Sequence, residues 1–121
     1  MQDPHERAEL TRLLDKDVDE LLVLLALSDP DHAETMFSAE EARNEGRRRF
    51  QQLTPLLHQR ICTEWRYCEK KANGAFNDNI EVAVAVADLI TTVVGGLPVS
   101  VVTALIVKRG LNRLCGCAGA G

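Results

Sequence analysis

The stretch IEVAVAVADLITTVVGGLPVSVVTALIVKRG, residues 80–110, decides how the chain is read. From Val82 to Val107 its only ionisable side chain is Asp88. Three structures are open to it: a membrane span, a pair of buried strands, or the centre of a small helical core. Its own punctuation favours the third. Gly95-Gly96-Leu97-Pro98 splits the apolar run, and neither piece reaches the about twenty residues that one span requires. A break at mid-span would also leave backbone groups unpaired in lipid. Asp78 and Glu81 form a D-x-x-E start for a helix opening near Asn79. Val82, Val86, Leu89 and Val93 then fall on one helical face, and Glu81, Ala85, Asp88 and Thr92 on another. Alternation of Val with Ala between residues 82 and 87 suits a strand, but it does not alternate polarity. Gly95-Gly96 reads as the end of that helix, with Pro98 opening another that runs to about Arg109. Lys108 and Arg109 suit its C-terminal dipole, and Gly110 ends the helix or is spanned by it.

Working outward, helix signals recur along the chain. Asp3-Pro4 is an N-cap followed by proline, with Leu10, Leu13 and Leu14 at helical spacing. Asp17 and Glu20 open a second helix, whose Leu21–Leu27 run is apolar on every face and belongs at the centre of a core. Ser28-Asp29-Pro30-Asp31 stops it. Ser38 and Glu41 make a capping box for a helix reaching about Leu53. Thr54-Pro55 is expected to cap the next helix, which runs to about Lys71 with Leu57, Ile61, Trp65 and Cys68 on one face. Asn73-Gly74 ends it. The fold class expected is all-α: one compact bundle of five to seven short helices over residues 1–115, with a flexible tail over 116–121. A chain of 121 residues is long enough for one such core.

The net charge of −4 is unevenly spread. Residues 1–41 hold twelve acidic and three basic side chains, and residues 42–121 hold six and eleven. The plain reading is that the two parts attract each other within one fold. Four cysteines behind a polar, partly acidic N-terminus, MQDPHERAEL, are expected to be reduced thiols in the cytoplasm.

Chemistry is sparse. His58 and Cys62 could face one ion, and Cys115-Gly116-Cys117 could add a second pair, but no spacing matches a zinc signature. A Cys62–His58 nucleophilic pair would sit on or beside a buried face, where substrate has poor access. There is no phosphate-cradling glycine loop and no hydrolase or metalloprotease motif. No enzyme activity, cofactor or metal is therefore expected. Arg43, Arg47, Arg48 and Arg49 cluster on one helix, and Arg66, Lys70 and Lys71 form a second group; these seven are the expected partner-binding residues. The function expected is a small cytoplasmic protein–protein interaction module, an adaptor or accessory subunit. Two alternatives belong to other classes. One is a membrane-active effector that inserts the apolar 80–107 hairpin. The other is a nucleic-acid-binding regulator using Arg47–Arg49.

Overall fold

The computed structural model describes residues 4–27, 38–74, 76, 78–94 and 98–117. Seven α-helices account for most of them: α1 (Pro4–Leu14), α2 (Val18–Leu27), α3 (Ala39–His58), α4 (Tyr67–Ala72), α5 (Asn79–Ile90), α6 (Val99–Arg109) and α7 (Leu111–Cys115). A π-helical turn, Gln59–Glu64, continues directly from α3. No strand occurs among the described residues, and the all-α fold class expected from the sequence holds.

The caps work as their residue types dictate. Asp17 Oδ1 accepts from Glu20 N at 2.8 Å, Ser38 Oγ from Glu41 N at 3.1 Å, and Asp78 Oδ1 from Glu81 N at 2.9 Å. Each satisfies one of the orphan N–H groups of a first helical turn. Gly74 at φ 70 follows the end of α4, and Gly110 at φ 104 separates α6 from α7. Asp3, the 28–31 stop and Gly95-Gly96-Leu97 lie outside the described residues.

α6 is the hub of the bundle and packs against α1, α2, α5 and α7. Val101 to Ile106 are all buried, and α5 meets them with Val82, Val86 and Ile90. The described part of the apolar 80–110 stretch thus lies at the centre of the core. Among the described residues, no helix is long and apolar enough to cross a membrane. One polar group is trapped there: Thr103 is fully buried, and its hydroxyl has no hydrogen-bond partner among the described residues.

α2 is only partly central. Leu21, Leu22, Leu25 and Ala26 face the core, but Leu24 and Leu27 are 37% and 46% exposed. Its packing on α3 is unusually close, because a Cβ added at Gly46 would lie 1.9 Å from the Leu22 carbonyl oxygen. Only glycine admits that approach of two backbones.

The break expected at Thr54-Pro55 does not occur. α3 runs through Pro55, although proline lacks the N–H that would bond the carbonyl four residues back. The Thr54 hydroxyl donates to the Phe50 carbonyl at 3.0 Å, and Leu57, just downstream, is fully buried. Burial of Leu57 offsets the local cost. The helix breaks later instead. It widens into the π turn, closed by Trp65 N–H donating to the Arg60 carbonyl at 3.1 Å, and stops where Arg66 adopts a left-handed conformation, φ 59. Leu57 and Ile61 therefore keep their buried face, while Trp65 and Cys68 are only half-buried.

The expectation of reduced thiols is overturned. Cys62 is bonded to Cys115 and Cys68 to Cys117, leaving no free cysteine. The Cα separations of 5.3 and 5.4 Å are ordinary for disulfides. Spacing along the chain could not show this, because Gly110 ends α6 and turns α7 onto the π turn and α4. Cys117, placed by the sequence reading in a flexible tail, is covalently tied to α4.

Candidate interaction surface

The seven cations expected to meet a partner fall on two elements. Arg43, Arg47, Arg48 and Arg49 lie on α3, which packs mainly on α2. Arg66, Lys70 and Lys71 lie at α4, which packs on α7 and the π turn. Each already has an intramolecular partner. Arg43 pairs with Asp19 of α2 at 3.5 Å, so a basic residue of the later chain does meet the acidic first segment. Arg47 donates to Asn44 Oδ1 at 3.0 Å. Arg48 forks onto Glu45, whose carboxylate also meets Arg49 Nε at 3.3 Å. The Arg48 guanidinium pKa is raised by its hydrogen bond to Glu45 and by that carboxylate's charge. Arg66 pairs with Glu69 at 3.7 Å, Lys70 lies 5.8 Å from the Trp65 ring centroid, and Lys71 is also engaged.

Across Ala39–Leu53 four arginines stand against three glutamates, so the field of the arginine run is largely cancelled locally. Such surface pairs contribute only about 0–1 kcal/mol each.

Around the bridges, Trp65, Tyr67 and Phe76 form an aromatic group, with Trp65 and Phe76 centroids 5.5 Å apart. Tyr67 donates its hydroxyl to Asn112 Oδ1 at 3.3 Å, and burial pushes the Tyr67 phenol pKa up. Arg60 donates from Nε to the Leu89 carbonyl at 3.2 Å, placing a cation at the C-terminal end of α5. All four thiols are consumed by the bridges, and His58 points outward. Among the described residues no group of three or more His, Cys, Asp or Glu is arranged to hold a metal ion.

A different set of cations converges without a paired anion among the described residues. Lys108, Arg109 and Arg113 line one open hollow with Val18, of about 460 Å³. Arg109 and Arg113 also line an adjoining cleft of about 170 Å³, with Phe50, Thr54, Ile106, Gly110 and Leu114. The Arg109 guanidinium carbon lies 5.3 Å from the Phe50 ring centroid. No ion pair or hydrogen bond engages these three side chains among the described residues. In the sequence, Lys108 and Arg109 read only as complements to a helix dipole, and Arg113 carried no signal. Their convergence depends on the turn at Gly110, which the sequence offers only as one of two readings, a helix end or a spanned glycine. No family model matches the chain, and neither the curated proteins nor the solved structures provide a match to it.

Proposed function

We propose that the protein is a non-catalytic interaction module, an adaptor or accessory subunit, which docks an acidic part of another protein at the junction of α6 and α7. One observation carries this reading: Lys108, Arg109 and Arg113 share an open surface with an apolar floor, and among the described residues no anion pairs with them. Unpaired cations beside apolar area attract, orient and retain an acidic partner, and arginine suits such interfaces because its fork binds carboxylates in pairs. The arginines of α3 are a weaker footing, because a partner would first have to displace Glu45 and Asp19. The same pairing weakens the nucleic-acid alternative. The membrane-active alternative would require α5 and α6 to leave the centre of the core. The two disulfides favour an oxidising compartment over the cytoplasm.

Selection of a random peptide library on the immobilised, oxidised protein tests the proposal. Enriched sequences should combine Asp or Glu with an apolar residue and lose binding to an Arg109→Glu/Arg113→Glu variant. Enrichment that this variant leaves unchanged, or that favours basic peptides, would refute it.

A further inference from the structure

We propose that the ligand of the α6–α7 cleft is the C-terminal residue of a partner chain, its carboxylate held by Arg109 and Arg113 and its apolar side chain seated on Phe50, Ile106 and Leu114. This rests on the reading of the same surface as a protein-docking site. It adds which part of the partner enters.

Three features of the cleft lead there. First, charge and apolar surface adjoin within one small enclosure. Its lining joins two arginines, Arg109 and Arg113, to Phe50, Ile106 and Leu114. At about 170 Å³ its apolar part readily takes one large side chain. Its occupant must therefore offer an anion and an apolar body from nearly the same point. Within a polypeptide only the last residue does so, because its α-carboxylate and its side chain diverge from one Cα. An internal Asp or Glu spends its side chain on the charge and leaves the apolar floor to a neighbour.

Second, the cation is held ready. The Arg109 guanidinium carbon lies over the Phe50 ring, 5.3 Å from its centroid, a contact that limits the side chain's rotamers. Gly110, partly buried between Arg109 and α7, sits at φ 104, a conformation a side chain would strain. A Cβ there would meet only Arg113 Cβ, at 3.8 Å, so the glycine is required by its turn rather than by crowding. That turn brings Arg113 to the same cleft as Arg109.

Third, the cleft opens beside a larger hollow, of about 460 Å³, lined by Lys108, Arg109, Arg113 and Val18. The residues before the terminus would leave through it, past Lys108. They are expected to be acidic. The recognised end is thus acidic residues followed by a terminal Leu, Ile, Val or Phe.

The experiment is fluorescence anisotropy on the oxidised full chain with two labelled peptides of sequence Gly-Ser-Glu-Glu-Leu, one ending in a free carboxylate and one in an amide. The free acid should bind at least tenfold more tightly, the scale expected for loss of a charge-assisted, two-pronged contact. Replacing the final Leu by Ser should weaken it similarly. Arg113→Gln, at an exposed position, should remove the acid-over-amide preference while leaving the melting temperature unchanged. Lys108→Gln should weaken both peptides alike and reduce the dependence on salt. Equal binding of acid and amide would overturn the inference and leave acidic docking at this surface intact. Failure of both peptides to bind would overturn it as well. So would tighter binding of a simple fatty carboxylate such as decanoate, which would make the cleft a lipid site; the peptide-library selection separately decides whether acidic protein segments dock.

Discussion

The two disulfides interleave along the chain, each with one end inside the loop the other closes, and this makes their removal non-additive in a calculable way. Cys62–Cys115 closes a loop with a sequence separation of 53, and Cys68–Cys117 one of 49. Taken alone, the chain-entropy relation assigns each about 4 kcal/mol of stabilisation. But once one bridge is closed, the other closes only the small ring between them, running from Cys62 to Cys68 and from Cys115 to Cys117. That ring has about ten residues, and the same relation gives it about 2.7 kcal/mol. Removing either bridge alone, as Cys62→Ser/Cys115→Ser or Cys68→Ser/Cys117→Ser, should therefore cost about 2.7 kcal/mol. Removing both should cost about 7 kcal/mol, more than the two singles together and comparable to the whole stability of many domains. Urea unfolding followed by far-ultraviolet circular dichroism, with Trp65 as the single tryptophan for fluorescence, measures all four proteins. The single-bridge variants should melt roughly 10 °C below the parent. Costs near 4 kcal/mol for each bridge that simply add would refute the shared-ring reasoning, as would no change on full reduction.

Other consequences are local. Gly46→Ala would ordinarily gain roughly 0.5–1 kcal/mol in a helix interior. Here the new Cβ would meet the Leu22 carbonyl, so a loss of about 3 kcal/mol is expected in denaturant unfolding. Thr103→Val keeps the shape and removes a buried hydroxyl without a partner, and should stabilise by roughly 1 kcal/mol, read from the unfolding midpoint. Tyr67 is the sole tyrosine, so absorbance reports its ionisation alone. Because burial raises its pKa in the folded state, the neutral form is favoured by folding. The stability it contributes is complete below the unfolded value of about 10 and is lost as pH rises through the folded value. Tyrosinate absorbance should therefore appear above the ordinary range, and Tyr67→Phe should flatten the alkaline fall in stability.

Much of the fold is legible because its signals are local. Asp17, Ser38 and Asp78 each cap the turn that follows them, so three helix starts can be read within a few residues. The 80–110 stretch resolves for the same reason, through its own caps and its glycine-proline break. What escapes is set by contacts between distant segments. Pro55 reads as a helix start, yet burial of Leu57 carries α3 through it. Gly46 looks like an unremarkable helical glycine until Leu22 is placed against it. The cysteines read as unpaired because Cys62 and Cys115 meet only after Gly110 turns α7 back. The surface is hidden for the same reason. The arginine run on α3 is conspicuous as letters, but Glu45 lies within it and cancels much of its charge. Arg113 is inconspicuous as a letter and becomes notable beside Arg109 and Phe50.

The central claim is that this chain meets its partner at the α6–α7 junction and not along the arginine-rich helix. Titration of the nitrogen-15-labelled, oxidised protein with the acid-ended peptide, followed by amide chemical shifts, tests it most directly. The shifts should gather at Lys108, Arg109, Gly110, Arg113 and Leu114, with Phe50 and Thr54 across the cleft. Shifts centred instead on Arg43–Arg49 or on Arg66–Lys71, with the α6–α7 junction silent, would contradict it.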